Sequence, residues 1–292
     1  MDVIESVEFS DWYSNVPAHL QVPAMDALER GSVLFFPSLG FEIRDGEAEL
    51  ISERFASGRA KNISFDSATG LLRGTNAGGE HADRLKSFVS RFAEQSKTLV
   101  RNLLPRYAAA IQLGRTSFRP VEVNGRPSSP RKDDTRLHVD AFPATPVQGR
   151  RILRLFSNVN PRGQDRVWRV GEPFESVADR FLRRARRQFW GEAAVLRALR
   201  VTKSRRTHYD HVMLELHNRM KGDTRYQAAV EHVEICFPAG STWLVFTDRV
   251  SHAAIAGQHC LEQTFYLPVN AMADPSRSPL RVLERLCGGS LV

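Results

Sequence analysis

Four short apolar runs toward the C-terminal end restrict the folds open to this chain more than any other feature. They cover 230–237, 241–246, 250–256 and 261–269, and Pro238-Ala239-Gly240, Thr247-Asp248-Arg249 and Gly257-Gln258 break them. Gaps this short hold no crossover helix, so successive runs are expected to pair as antiparallel strands. Two earlier segments, 136–140 and 151–158, alternate polar and apolar residues with the period of half-buried strands. An early two-strand block, a long insertion and a late meander suit a β-sandwich or jelly roll, mainly β with flanking helices. With 292 residues and 42% hydrophobic content the chain can bury such a core, and a largely disordered protein is excluded.

Outside these runs the pattern is mixed. Ser32-Val33-Leu34-Phe35-Phe36 reads as a buried strand ended by Pro37, 47–57 has helical spacing, and 61–79 is a loop rich in Gly, Ser, Thr and Asn. From 82 to 104 a helical period runs through Leu85, Phe88, Val89, Phe92, Leu99 and Leu103, and Pro105 stops it. No linker follows. Residues 1–110 are therefore expected to form an α/β support for a core at 111–275, with a helical basic insertion at about 172–225. Residues 276–292 close the chain as a helix that Ser278-Pro279 starts and Gly288-Gly289 ends. An amphipathic helix is expected over 176–200, with Val177, Phe181, Ala185, Phe189 and Ala193 along one side, and another over 208–220. The acidic start lacks a secretory signal, no apolar stretch reaches bilayer length, and the three cysteines are scattered. A reducing cytoplasm is the expected setting.

The charge is concentrated. Lys+Arg number 41 against 33 Asp+Glu, a net +8, and six of the cations are lysine, leaving 41 − 6 = 35 arginines. Residues 176–206 carry ten cations and two anions, so 10 − 2 = +8, which equals the excess of the whole chain. Arginine suits bidentate capture of carboxylate or phosphate.

Three His-x-Asp tripeptides occur: His81-Ala82-Asp83, His138-Val139-Asp140 and His208-Tyr209-Asp210. Residues i and i+2 share a face on a strand and diverge on a helix. His81 and His208 open helices, so only His138 and Asp140 are placed to share a ligand. One imidazole and one carboxylate suggest the facial triad of non-haem iron(II), which needs a second histidine from a late strand. His252 is preferred, with His232 and His259 as alternatives. A rival set, His208, His211 and Glu215, shares a helix face and could suit zinc, but a polar helix face with Met213 and Leu216 turned to the core is the better account.

Leu137-His138-Val139-Asp140-Ala141-Phe142-Pro143, Gly149-Arg150-Arg151-Ile152-Leu153-Arg154 and the run from Arg166-Val167-Trp168-Arg169 through Gly171-Glu172-Pro173-Phe174-Glu175 resemble the Kdo 3-hydroxylases. So does Phe246-Thr247-Asp248-Arg249-Val250-Ser251-His252-Ala253. The resemblance implies a double-stranded β-helix core and iron(II)- and 2-oxoglutarate-dependent hydroxylation of C3 of Kdo in the lipopolysaccharide inner core. O₂ is the co-substrate, and succinate and CO₂ are products. It makes His138, Asp140 and His252 the catalytic iron ligands. For the distal carboxylate of 2-oxoglutarate it suggests Arg154, with Asn158 on the same strand face, Thr135 as a further donor and Gln263 as the weaker alternative. Lys132, Arg150, Arg151, Arg166 and Arg169 become candidates for the substrate's anionic groups at the site mouth, and Trp168 a stacking surface for the sugar. Each of these also reads as ordinary surface in so Arg-rich a chain. The expected partner is Kdo-bearing lipid A, reached from the cytoplasmic face of the inner membrane, where the arginines of 176–200 hold the protein against anionic lipid. A homo-oligomer is compatible with the sequence.

Two other readings remain. A pI near 9.8 and an Arg-rich helix are also the footprint of a nucleic-acid-binding protein, though no helix-turn-helix, zinc-finger or RNP pattern is present. The same triad also serves cupin-like proteins and peptidyl hydroxylases with other substrates. Walker A, GxGxxG and GxSxG motifs are absent, which argues against nucleotide and serine-hydrolase chemistry.

Overall fold

The first hundred residues supply β1 (Ile4–Ser6), α1 (Ala18–Arg30), β2 (Val33–Phe36), β3 (Ile63–Asp66), β4 (Leu71–Arg73) and α2 (Gly79–Leu103). The computed structural model describes residues 3–58, 60–125 and 128–292. α2 follows the heptad-like apolar spacing: Leu85, Phe88, Val89, Phe92, Leu99 and Leu103 are all buried. The expected helix at 47–57 is instead two 3₁₀ turns, Ala48–Leu50 and Glu53–Phe55, the second capped by the Ser52 hydroxyl accepting from Arg54 N–H.

The period-two runs become β5 (Gln112–Arg119), β6 (Arg151–Asn158), β7 (Arg166–Val170), β8 (Val233–Phe237), β9 (Thr242–Phe246), β10 (His252–Ala256) and β11 (Cys260–Leu267). They close into two facing sheets. The larger has the order β1-β2-β9-β6-β11-β5-β3-β4, and the smaller β10-β7-β8, so β8, β9, β10 and β11 alternate between the sheets and no two successive late runs pair. Each short turn carries the chain across the sandwich instead of back along one sheet, and the expected meander does not form. His138 adds a single antiparallel bridge beside β10, pairing with His252, so the expected strand at 136–140 is reduced to that one pair. The first hundred residues thus widen the large sheet on both flanks, through β2 on β9 and β3 on β5.

Alternation decides which side chains enter the space between the sheets. On β6 and β11, Arg154 pairs with Thr264, Phe156 with Glu262 and Asn158 with Cys260. Phe156, Trp243, Val245 and Cys260 of the large sheet meet Trp168, Val170, Ile235 and Phe237 of the small one. The other face of the large sheet, with Leu155, Leu244, Leu261, Phe265 and Leu267, packs in one apolar cluster with Leu28 of α1 and Phe88 and Phe92 of α2. Removing a ring such as Phe92 from that layer costs about 3–5 kcal/mol.

The insertion holds α3 (Phe174–Leu182), α4 (Glu192–Ala198), α5 (His208–Gly222) and α6 (Thr224–Ala229). The single helix expected over 176–200 is broken. Arg183 and Arg187 stand one helical turn apart, a repulsive spacing, and Gly191 takes a left-handed φ of 78°. α5 begins at a capping box between Thr207 and Asp210. α7 (Pro279–Cys287) has Ser278 as its cap and Gly288 in the left-handed conformation, as expected.

Candidate metal centre

His138, Asp140 and His252 converge. One ligand atom from each lies within 4.8 Å of the other two, and no other such group forms among the described residues. The fold brings them together in two steps: residues 138 and 140 project from one side of an extended segment, and the bridge to His252 seats the third residue opposite. The bridge is reciprocal, His138 N–H donating to His252 C=O at 3.0 Å and His252 N–H to His138 C=O at 2.9 Å.

The local bonds suit metal ligation. His138 Nδ1 is 2.8 Å from Arg136 C=O and His252 Nδ1 is 2.8 Å from Val250 C=O. A carbonyl only accepts, so each Nδ1 carries the proton and each Nε2 presents a lone pair. Burial holds both imidazoles below the ordinary histidine range, His138 more so, helped by the Lys221 ammonium nearby. Burial alone would raise the Asp140 pKa, but Arg154 and His252 outweigh it and the carboxyl stays ionised. Asp140 Oδ2 is buried without a hydrogen bond, although Arg154 Nη1 lies 3.1 Å away. Two neutral imidazoles and one buried carboxylate, whose Oδ2 has no hydrogen bond and only the ion pair to Arg154, fit a divalent cation.

Around the triad lies a constructed shell. The Trp168 ring stacks on His252 at 5.1 Å and 20°, and its Nε1 is buried with no partner. His217 of α5 sets its ring edge-on to His138 at 5.0 Å, with Nδ1 2.9 Å from Val139 C=O. Lys221, one turn further on, is buried and lies 3.8 Å from Asp134.

A cavity of about 470 Å³ abuts this centre, lined at its inner end by Arg119, Arg154 and Glu262 and toward solvent by Asn62, Ser64, Arg115, Thr145 and Lys203. Arg119 grips Glu262 with Nη2 at 2.6 Å and Nε at 2.8 Å, and Arg154 Nε is 3.5 Å from the same carboxylate. Arg166 enters from the facing sheet. Its Nη1 donates to Gly257 C=O at 2.5 Å, while its buried Nε has no partner. Burial, and then Arg119, disfavour its charge. With Asp140 committed to a metal, Glu262 serves both Arg119 and Arg154, and Asp134 lies 3.8 Å from Arg119 but is shared with Lys61 and Lys221. Arg166 has no ion pair among the described residues, so the interior is set to receive an anion.

Of the other expected site residues, Trp168 is at the centre, stacked on His252, and Arg166 shares the same interior; the rest lie elsewhere. Thr135 turns its hydroxyl to Asp133 at 2.7 Å. Asn158 Nδ2 ties Gln164 and Phe237 carbonyls, each at 2.9 Å, across the closed end of the sandwich. Gln263 faces the opposite side of β11 from Glu262, accepting from Thr116 at 2.6 Å. Arg151 is not at a mouth: it is fully buried against Asp248, with Nε at 2.7 Å, and stacks on Phe246. Arg166 and Trp168 are inside the sandwich and not on its rim, and Arg169 is on the outer face against Glu234. Arg150 lies at the edge, bonded to Gln112 and over the Tyr266 ring; Lys132 is exposed. His232 is exposed, and His259 is buried against Phe118 at the turn into β11, both apart from the centre. The zinc alternative does not assemble: His211 Nε2 binds Arg186 C=O, and Glu215 accepts from Arg186 N–H and pairs with Arg219. Sequence reasoning missed Arg119, His217 and Glu262, whose positions depend on strand register and on α5 crossing residue 139.

Comparison with known proteins agrees with this geometry. A family model for 3-deoxy-D-manno-oct-2-ulosonic acid (Kdo) hydroxylase matches residues 11–290. No curated protein matches the chain. Among solved structures, the Kdo hydroxylase KdoO, a non-haem Fe(II) α-ketoglutarate-dependent dioxygenase, is similar in its cobalt(II) complex at 44% identity, with 100% of this chain and 98% of that chain covered and a TM-score of 0.97. Its complex with α-ketoglutarate and Fe(III) is similar at 43% identity, covering 99% and 97%, with a TM-score of 0.95. The succinate and Fe(III) complex gives 44%, 100% and 98%, and 0.96.

Proposed function

The chain belongs to the Kdo hydroxylase family, and from that premise we propose that it hydroxylates C3 of Kdo in an iron(II)- and 2-oxoglutarate-dependent reaction. The observation that carries the proposal is the convergence of His138, Asp140 and His252 next to an arginine-lined cavity, with Arg154 of that lining 3.1 Å from Asp140. Iron(II), when bound, would activate O₂, which is the oxidant: one oxygen atom ends in the hydroxyl group added to the sugar and the other in the carboxylate of the succinate left when 2-oxoglutarate loses CO₂.

The residues of the chain bind, orient and exclude water. His138 and His252 present neutral Nε2 donors and Asp140 its carboxylate, leaving the remaining positions open to ligands. Arg166 and Trp168 Nε1, both with unused buried donors, and Arg119 hold the carboxylate of 2-oxoglutarate farther from the metal. Arg154 sits between that subsite and Asp140 and keeps Asp140 ionised. Phe156, Trp243 and Phe237 keep the interior dry.

The outer half of the cavity takes the sugar. C3 of Kdo is separated from its carboxylate carbon by a single carbon, so the carboxylate of a substrate with C3 at the metal stays close to the inner end. Arg115, only loosely paired to Asp66 at 3.5 Å, and Lys203 line the approach and receive that charge. Kdo-bearing lipid A is the substrate form we assign, with the protein peripheral at the anionic cytoplasmic face of the inner membrane; among the described residues no helix is long and apolar enough to cross a membrane. Incubation with iron(II), 2-oxoglutarate, O₂ and Kdo-bearing lipid A should add one oxygen atom to the sugar with matching release of succinate. Succinate release without an oxygenated sugar would refute the substrate.

A further inference from the structure

We propose that residues 189–201 form a wedge that inserts into the interface of an anionic bilayer; this rests on lipid-linked Kdo being the substrate and names the surface that meets the membrane. Thirteen consecutive residues carry five exposed large apolar side chains: Phe189 at 70%, Trp190 at 101%, Val195 at 56%, Leu199 at 69% and Val201 at 52% exposure. The remaining tryptophans, Trp12, Trp168 and Trp243, are buried. The left-handed turn at Gly191 carries the chain past Trp190 and leaves that ring wholly in solvent. An apolar group this concentrated on a soluble surface marks a contact site.

The charge around the wedge selects the partner. Arg183, Arg187, Arg197, Arg200, Lys203 and Arg205 are exposed, and none forms an ion pair among the described residues. The nearby acids Glu192 and Glu215 are both engaged by Arg186. Nucleic acid would use the rings for stacking but gains little from Val195, Leu199 and Val201. An aromatic and aliphatic tip inside a cationic collar matches the acyl boundary below and the phosphate layer above.

Chain continuity links this surface to the site. Two residues beyond Val201, Lys203 donates its backbone N–H to Ala144 C=O at 2.9 Å and lines the cavity that ends at Arg154. A wedge seated in the bilayer therefore brings the cavity mouth to the depth of a sugar carried on a lipid.

Trp190 is its own probe. Mixed with phosphatidylglycerol vesicles containing acyl-brominated phosphatidylcholine, the full-length protein should show blue-shifted and quenched emission that Trp190→Phe lacks. Val195→Ser with Leu199→Ser should weaken vesicle partition by about tenfold or more. The same double variant should retain turnover of a water-soluble Kdo acceptor. Vesicle binding without quenching would overturn the wedge while leaving attachment by charge intact, and equal quenching by purely zwitterionic vesicles would overturn the cationic collar. Failure of the unmodified protein on every Kdo acceptor would instead strike the enzymatic reading, and is separable from both.

Discussion

Arg166→Met separates an anion receptor from a structural arginine, because the two roles give effects of opposite sign. The side chain is 3% exposed, and its only hydrogen bond among those described is to Gly257 C=O. No carboxylate of the described residues lies within ion-pairing distance, and Nε is unpartnered. A buried, uncompensated ion costs the fold several kcal/mol, so an apolar side chain of similar length should leave the unfolding free energy unchanged or raise it by about 1–3 kcal/mol. Binding of 2-oxoglutarate should move the other way. A charge-assisted hydrogen bond contributes about 1.5–3 kcal/mol, so losing one raises the KM for 2-oxoglutarate roughly ten- to a hundredfold. Urea unfolding without 2-oxoglutarate and succinate release across a 2-oxoglutarate series measure the two effects. A destabilised variant with an unchanged KM would refute the reasoning.

The remaining predictions concern the buried polar groups that hold the sheets in register. Arg151→Met leaves Asp248, itself fully buried, without its partner and should cost about 3–5 kcal/mol. Burial already raises the Asp248 pKa against the opposing pull of Arg151, so in the variant the folded carboxyl binds its proton more tightly than the unfolded one. The loss should therefore shrink as pH falls from about 8 to about 5.5 in urea titrations, and a loss below about 1 kcal/mol at both would contradict it. His259 is held down to about 4, chiefly by burial and then by Arg162. Below the ordinary histidine pKa the unfolded chain gains a proton that the fold refuses, so stability should fall by up to about 3 kcal/mol between about pH 6.5 and 4. His259 has a φ of 58°, which asparagine tolerates, so His259→Asn should flatten that slope; an unchanged slope assigns it to other groups.

The sequence exposed the metal centre because the required information is local. A two-residue spacing on an extended segment fixes the relation of His138 to Asp140, and a tight turn ahead of β10 fixes that of His252 to its strand. The inner cavity was less legible. Arg119 acquires its place only through pairing with β11, more than a hundred residues on, and the sequence around it alternates no differently from the other strands of the sheet. Trp168 and Arg166 were expected on a surface because either face of a five-residue strand can be the inner one, and the partners of β7 decide which. The insertion misled for an electrostatic reason: its apolar period is helical, but arginines at successive turns repel, and Gly191 offers a stop. The residues freed by that break are the ones that form the exposed apolar tip.

Anaerobic titration with iron(II) and 2-oxoglutarate tests the central claim most directly. The unmodified protein should bind one iron per chain and develop the weak visible charge-transfer band of a chelated 2-oxo acid, while folded Asp140→Ala and His252→Ala variants should show neither. Either variant behaving like its parent would contradict the assignment of the iron to these three side chains.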